Sequence, residues 1–241
     1  MLTSIYPRHF LFALLWLFIL SITSLSHAEK ATITPYVTKN DVDIIKFLPD
    51  PILPGSEDDL MEQKKIIDLQ KSSTPERIKR ANDDVTETVF AMYGSVMGDQ
   101  FTAERLPITA HFFARIGKCE GAVIDPAKEQ FHRIRPFLAN TQIKALVKEA
   151  KSGSYPSGHT TRATMMAIVL SDLFPDKRAL IFSRNDDYAM SRVIGGMHYF
   201  NDLQAGQRAG TAIASLLFTR DDFKADLEAA RQELKNVFDK N

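Results

Sequence analysis

One cysteine, Cys119, is all the thiol chemistry in this 241-residue chain. That excludes an intramolecular disulfide, a disulfide-stapled scaffold and a cysteine-based zinc site. An excess of one charge is also missing, because thirty Lys and Arg balance thirty Asp and Glu. A neutral chain has no bulk field for nucleic acid or anionic lipid, so any anion site must be a local cluster and nucleic acid is not an expected partner. No apolar run approaches the roughly 20 residues that span a bilayer. Internal repeats and low-complexity tracts are absent, and alternating β-branched runs are nearly so. What remains is an average globular composition, 44% apolar and 25% charged, which argues against disorder, collagen and a multi-span membrane protein. The length suits one or two domains with a core large enough to need no staples. In that setting Cys119 is expected to be a small buried hydrophobe.

The N-terminus reads as an address. Arg8 precedes an apolar run from Phe10 to Leu20, and a polar stretch ends in Ser26-His27-Ala28. A basic start, a short apolar centre and small residues before the cut predict a secretory signal peptide over residues 1–28. Cleavage after Ala28 implies a periplasmic or secreted protein with no stable membrane insertion; the ordinary alternative is an uncleaved anchor. Residues 29–55, punctuated by Pro35, Pro49, Pro51, Pro54 and Gly55, predict an irregular arm that wraps a core. Residues 56–241 predict a single-domain, all-α helical bundle. Thr74-Pro75-Glu76 reads as a helix start. Residues 84–97 and 103–116 carry helical apolar spacing, with Pro107 placed to delay the second. Thr161 to Phe174 reads as a buried central helix and Asn201 to Phe218 as an Ala- and Gly-rich one that permits close packing. In the tail, Phe223, Leu227, Ala230, Leu234 and Val237 form an apolar stripe, and Thr219 with Asp222 resembles a capping box.

Three segments carry chemistry. In the first, Lys128 and Arg135 lie seven apart before Pro136. On a helix that spacing puts both on one face, with Pro136 ending the helix, and the two cations suit a phosphoryl group. The ordinary alternative is a solvated basic face with Arg133 as one more member. In the second, Gly153 to Thr161, a turn feeds the buried helix. There Ser157 offers a hydroxyl, Gly158 lets an oxyanion approach the free N–H groups of the helix start, and His159 can exchange a proton near neutral pH. The alternative is a capped loop with a surface histidine. In the third, Ser191 to Asp202, His198 and Asp202 are four apart, which on a helix sets the carboxylate beside the imidazole. A carboxylate on one ring N–H leaves the other nitrogen as a nucleophile. Arg192 is off that face unless Gly195-Gly196 breaks the helix. The alternative is a surface pair worth a few tenths of a kcal/mol.

Taken together, these segments supply three fixed cations (Lys128, Arg135, Arg192), an anion nest, and two histidines of which one has a carboxylate. Three cations would repel a catalytic metal, and metal ligands are normally backed by acceptors. Neither metal nor cofactor is expected. The set instead suits a phosphoryl group, whose transition state spreads charge over three oxygens.

The same residues resemble the type-2 phosphatidic acid phosphatase and vanadium haloperoxidase superfamily, whose pattern is K-x6-R-P, then P-S-G-H, then S-R-x5-H-x3-D. Lys128 with Arg135-Pro136, Pro156 to His159, and Ser191-Arg192 with His198 and Asp202 match it in order. Gly153 to Thr160 is also similar to the signature of bacterial class A non-specific acid phosphatases, secreted all-α enzymes of about this size. Residues 98–124, with the substrate-facing loop, fall outside the resemblance. The resemblance implies an acid phosphatase acting on small-molecule phosphate monoesters. His198 would attack phosphorus to form a phosphohistidine, Asp202 would orient it, and His159 would act as acid and then as base. Lys128, Arg135, Arg192, Ser157 and Gly158 would hold the phosphate. Vanadate is an expected inhibitor. An acidic optimum follows if His159 starts protonated near the ordinary histidine value of about 6.5. A vanadium-dependent haloperoxidase, a non-catalytic phosphate-binding module and a lipid phosphatase are the alternatives. Whether the chain is a homo-oligomer, and what His111 and His132 do, stay open.

Overall fold

The computed structural model describes Met1 and residues 33–239, so the signal peptide expected over 1–28 lies, Met1 aside, outside the described residues. From Ile33 onward the chain forms one unit. The helices are α1 (Ile44–Phe47), α2 (Glu57–Ser72), α3 (Pro75–Asp83), α4 (Val89–Met97), α5 (Pro107–Phe131), α6 (Pro136–Ala139), α7 (Gly158–Leu173), α8 (Arg178–Ile194), α9 (Phe200–Leu217) and α10 (Asp221–Phe238). Among the described residues there is no strand, and the all-α expectation holds.

Local chemistry sets most of the helix starts. The hydroxyls of Ser56, Thr74, Thr88 and Ser157 each accept a backbone N–H from three residues on, caps worth about 1 kcal/mol apiece. Pro75, Pro107 and Pro136 occupy first helical positions, where the missing N–H costs nothing. Three boundaries differ from expectation. The helix expected from residue 84 begins at Val89, because Thr88 supplies the cap. The helix expected over 103–116 starts at Pro107 and runs to Phe131. The tail does not start with a capping box: Thr219 Oγ1 donates back to Leu216 O, and Arg220 caps α10 without a side-chain bond. The linker is too short to free Thr219 from the end of α9.

Helix α7 sits at the centre, packed on α9, α8 and α5. Gly206 and Gly210 allow its close approach to α9. A Cβ at either would come 2.7 Å from a carbonyl oxygen of α7's first turn or cap, Thr161 O or Ser157 O. The Ser157 N–H donates to Asp202 O across the same seam (3.0 Å). Two chemistry-bearing segments, distant in sequence, are thereby joined at one end of the bundle. Phe223, Leu227, Ala230 and Leu234 are buried as the tail's stripe requires.

The arm is irregular apart from α1. Tyr36 and Val37 are buried in it, Lys39 N donates to Ala122 O, and Tyr155 Oη donates to Pro49 O (2.7 Å). Tyr155 packs edge-on against Phe131, so both serve the core. Cys119 is buried and accepts the Val37 N–H.

Candidate active site

His198 lies in the turn between α8 and α9. Helix α8 ends at Ile194, and Gly196 takes a φ of 77°, a backbone state open to glycine. A Cβ there would also collide with Lys144 O. The turn lets the N–H groups of Met197 and His198 both donate to Arg192 O (3.0 and 3.3 Å), so Arg192 and His198 converge as the Gly195-Gly196 pair suggested. Asp202, at the third position of α9, accepts the Tyr199 N–H with Oδ2 (2.9 Å) and keeps that oxygen 3.3 Å from His198 Nδ1. The pair is therefore made at a helix start, not along one helix face, since His198 precedes α9. Burial, then Arg135, Lys128 and Arg192, holds the imidazole pKa well below the ordinary histidine value. With its Nδ1–H toward Asp202, a neutral His198 presents a lone pair on Nε2. Arg135 Nη1 is 3.3 Å from that nitrogen.

Lys128 and Arg135 do not share a helix face. Helix α5 ends at Phe131, His132 adopts the left-handed conformation that stops it, and Pro136 begins α6. The two cations converge through the loop before α7. Lys128 Nζ donates to Gly153 O (3.1 Å) and Pro156 O (2.9 Å). Arg135 donates to Ser152 O, Gly153 O and Met197 O. Burial, then Arg135, pulls Lys128 down to about 8. Burial also brings Arg135 down to about 10, with Arg192 adding to it and Asp202 opposing. The third cation is different. Arg192 is 2% exposed, and its Nε and Nη1 are buried without a hydrogen-bond partner among the described residues. An unpaired buried charged donor is costly. An anion beside it would remove that cost.

Ser157 caps α7, accepting from Thr160 N and Oγ1, which leaves its own O–H proton to give. The first N–H groups of α7 point out of the helix start. A Cβ at Gly158 would displace the Glu120 carboxylate, which holds Arg162. His159 follows, with Nδ1 3.1 Å from Glu87 Oε1 and Nε2 buried without a partner among the described residues. Burial, then Arg192, His198, Arg162 and Lys128, lowers its pKa well below the ordinary value. The free site thus does not hold His159 at the unperturbed value from which an acidic optimum was expected. Burial raises the Glu87 carboxyl against the pull of Arg162.

Several contributors went unread in the sequence. Glu87 sits in a stretch expected to be helical but lies just before the α4 cap, facing His159. Arg162 pairs with both Glu87 and Glu120 (3.0 and 2.9 Å), and its position three residues after His159 was the available signal. Arg133 is not one more member of a solvated face. It is 5% exposed and reaches Asp202, Glu62 and Asp59. His111 and His132 are exposed. Residues 98–124 are mostly α5, so the open loop there is 98–106.

Lys128, Arg135 and Arg192 surround His198 with fixed positive charge, which favours an anion over a metal cation. Comparison with known proteins agrees with that chemistry. Residues 110–224 match the model of the PAP2 superfamily. An acid phosphatase of Zymomonas mobilis subsp. mobilis is 35% identical over 62% of this chain and 58% of that protein. A non-specific acid phosphatase of Salmonella typhi is 28% identical over 91% of this chain and 92% of that one. Among solved structures, a transmembrane PAP2 type phosphatidylglycerolphosphate phosphatase from Bacillus subtilis shares the fold at a TM-score of 0.51, with 17% identity over 70% of this chain and 88% of that one. In the protein described here, no helix among the described residues is long and apolar enough to cross a membrane. Residues 110–224, which hold the buried histidine–carboxylate pair and its cage of cations, are thus similar to the PAP2 superfamily, and the relatives compared by sequence are acid phosphatases.

Proposed function

We propose that this protein is exported and hydrolyses phosphate monoesters by a metal-independent, two-step displacement at His198. The observation that carries the reading is Arg192: two buried guanidinium nitrogens without a partner among the described residues, on the residue whose carbonyl anchors the His198 turn. The equatorial phosphate oxygens take those groups, with Lys128, Arg135, Ser157 and the α7 N–H groups around them. A phosphate oxygen also draws Arg135 Nη1 away from His198 Nε2 and frees the lone pair.

His198 Nε2 then attacks phosphorus, and the bond to the leaving oxygen breaks. His159 Nε2 delivers a proton to that oxygen. The imidazolium charge on phosphorylated His198 is faced by Asp202, which accepts its Nδ1–H. In the second step His159 takes a proton from water, the water oxygen bonds phosphorus, the P–N bond breaks, and inorganic phosphate leaves with His198 neutral. His159 is neutral in the free site because it is buried and cations stand near it. A phosphate dianion cancels part of that field, so its proton enters with the substrate, and Glu87 on Nδ1 favours the charged ring. That coupling, not an unperturbed histidine, supports an acidic optimum.

The test is turnover of p-nitrophenyl phosphate by the purified protein at mildly acidic pH in EDTA. Full activity is expected, with vanadate competing; loss on chelation restored by a metal ion would overturn the metal-free scheme. No turnover from folded protein would favour a haloperoxidase or a binding module, and bromide oxidation with vanadate and peroxide separates those two.

A second expectation concerns Lys128. Its pKa lies near 8 in the free protein, so it is charged below that pH and loses its charge above it. kcat/KM should therefore fall as pH rises through about 8, while kcat falls later because bound phosphate holds the proton. A Lys128→Arg variant, charged throughout, should move the limb upward. An unmoved limb would take Lys128 out of the phosphate clamp.

A further inference from the structure

We propose that Arg133, held from behind by Glu62 and Asp59, is a positioning residue that fixes Asp202 behind His198. This rests on the displacement mechanism above and extends its machinery to a residue that touches neither substrate nor phosphorus.

The geometry is specific. The two oxygens of Asp202 have separate duties. Oδ2 takes the Tyr199 N–H and faces His198 Nδ1. Oδ1 takes Arg133 Nη1 at 2.7 Å. The other arm of the guanidinium, Nη2, donates to Glu62 Oε2 at 3.1 Å and lies 3.6 Å from Asp59 Oδ1. Its plane rests on the Tyr199 ring, 3.9 Å from the centroid. Glu62 Oε1 in turn accepts the Asn201 N–H (2.7 Å), one residue before Asp202. Helix α2, the loop after α5 and the first turn of α9 therefore meet at one guanidinium. A planar fork can bridge two carboxylates in fixed directions, which an ammonium cannot do.

Such a cluster is a poor way to gain stability. Buried ion networks often do no better than apolar side chains of the same volume. Asp202, by contrast, has a chemical need for it. A fully buried carboxylate tends to take up a proton, and a protonated Asp202 could not face the imidazolium. The charged and titratable groups around Asp202 are His198, Lys128, Arg135 and Arg133, with Tyr155 and Tyr199 close by and Glu62 and Asp59 beyond Arg133. Burial raises the Asp202 pKa, and of the groups that oppose it Arg133 acts most strongly. Removing Arg133 must therefore raise it further. The fraction of protein with ionised Asp202 then declines at a higher pH, and the acid limb of kcat/KM moves upward.

The experiment compares the intact protein with Arg133→Gln and Arg133→Lys, following kcat, KM and pH profile, with circular dichroism as the measure of folded protein. Arg133→Gln should lower kcat by about 10- to 100-fold, the usual effect of losing a group that orients an active-site ligand. KM should stay within about twofold, because the phosphate clamp is untouched, and the acid limb should shift to higher pH. Arg133→Lys restores charge without the fork; it should recover part of kcat and return the limb toward wild type. A folded Arg133→Gln protein with wild-type kcat, or one whose loss only tracks folded fraction at an unmoved pH profile, would overturn the assignment. Should Arg133→Gln fail to fold, Arg133→Lys decides, and full activity there counts against the proposal. Inactivity of the wild type itself would overturn the displacement mechanism and this proposal with it. Loss of turnover in His198→Ala beside a fully active Arg133→Gln would overturn this proposal alone.

Discussion

Alanine in place of His198 should abolish turnover, lowering kcat by about 10⁴-fold or more, as expected when a covalent nucleophile is lost. The reason is positional. Nε2 of His198 carries the lone pair, and nothing else in the cage can replace it: Lys128 and Arg135 are committed to carbonyls of the loop before α7, and Arg192 is a guanidinium. The clamp itself should survive, so the variant should still bind phosphate or vanadate with affinity near that of the wild type. Rapid quench of the wild type into alkaline detergent with labelled substrate should trap an acid-labile, base-stable phosphoprotein that the variant lacks. Turnover by His198→Ala within tenfold of wild type would mean that water attacks phosphorus directly and that His198 only shapes the site.

The second large effect belongs to His159. With a poor leaving group such as an alkyl alcohol, His159→Ala should reduce kcat by roughly 10²- to 10⁴-fold, the range for loss of a general acid. With p-nitrophenolate, which departs without a proton, the loss should be much smaller in the first step. What remains reflects the missing base in the second. Plotting log kcat against leaving-group pKa should give a steep line for the variant and a shallow one for wild type. Parallel lines would remove His159 as the acid. Glu87→Gln should steepen the wild-type line mildly, because Glu87 stabilises the charged ring through Nδ1.

The residues that converge at the candidate site were legible in the sequence because the spacing within each segment is short-range information. Lys128 with Arg135, Ser157 to His159, and Arg192 with His198 and Asp202 all stand close to the site, although two of the local geometries differ. Lys128 and Arg135 were expected on one helix face and instead meet through the loop that both hold. His198 and Asp202 were expected along a helix and instead form at its start. In each case a chain break was the deciding event, at His132 in one and at Gly196 in the other. The supporting residues were not legible. Glu87, Glu62 and Asp59 look like ordinary surface acids, and Arg133 looks like part of a basic run, since no periodic pattern distinguishes a buried ion pair from an exposed one.

The sequence alone determined the helical class, the apolar stripe of the tail, the buried central helix and the residue types that a phosphoryl group needs, because these follow from periodicity, capping and charge within a few tens of residues. Only the tertiary structure decided which charges are buried. Gly206 and Gly210 bring α7 and α9 to carbonyl contact, and that contact sets the Ser157–His159 turn beside Asp202. Burial in turn makes His198 neutral, leaves Arg192 Nε and Nη1 without a partner among the described residues and gives Arg133 three carboxylates. Desolvation depends on what packs around a group, and the groups that pack here come from α2, the segment before α4, α5, α7, α8 and α9, whose encounter no local pattern encodes.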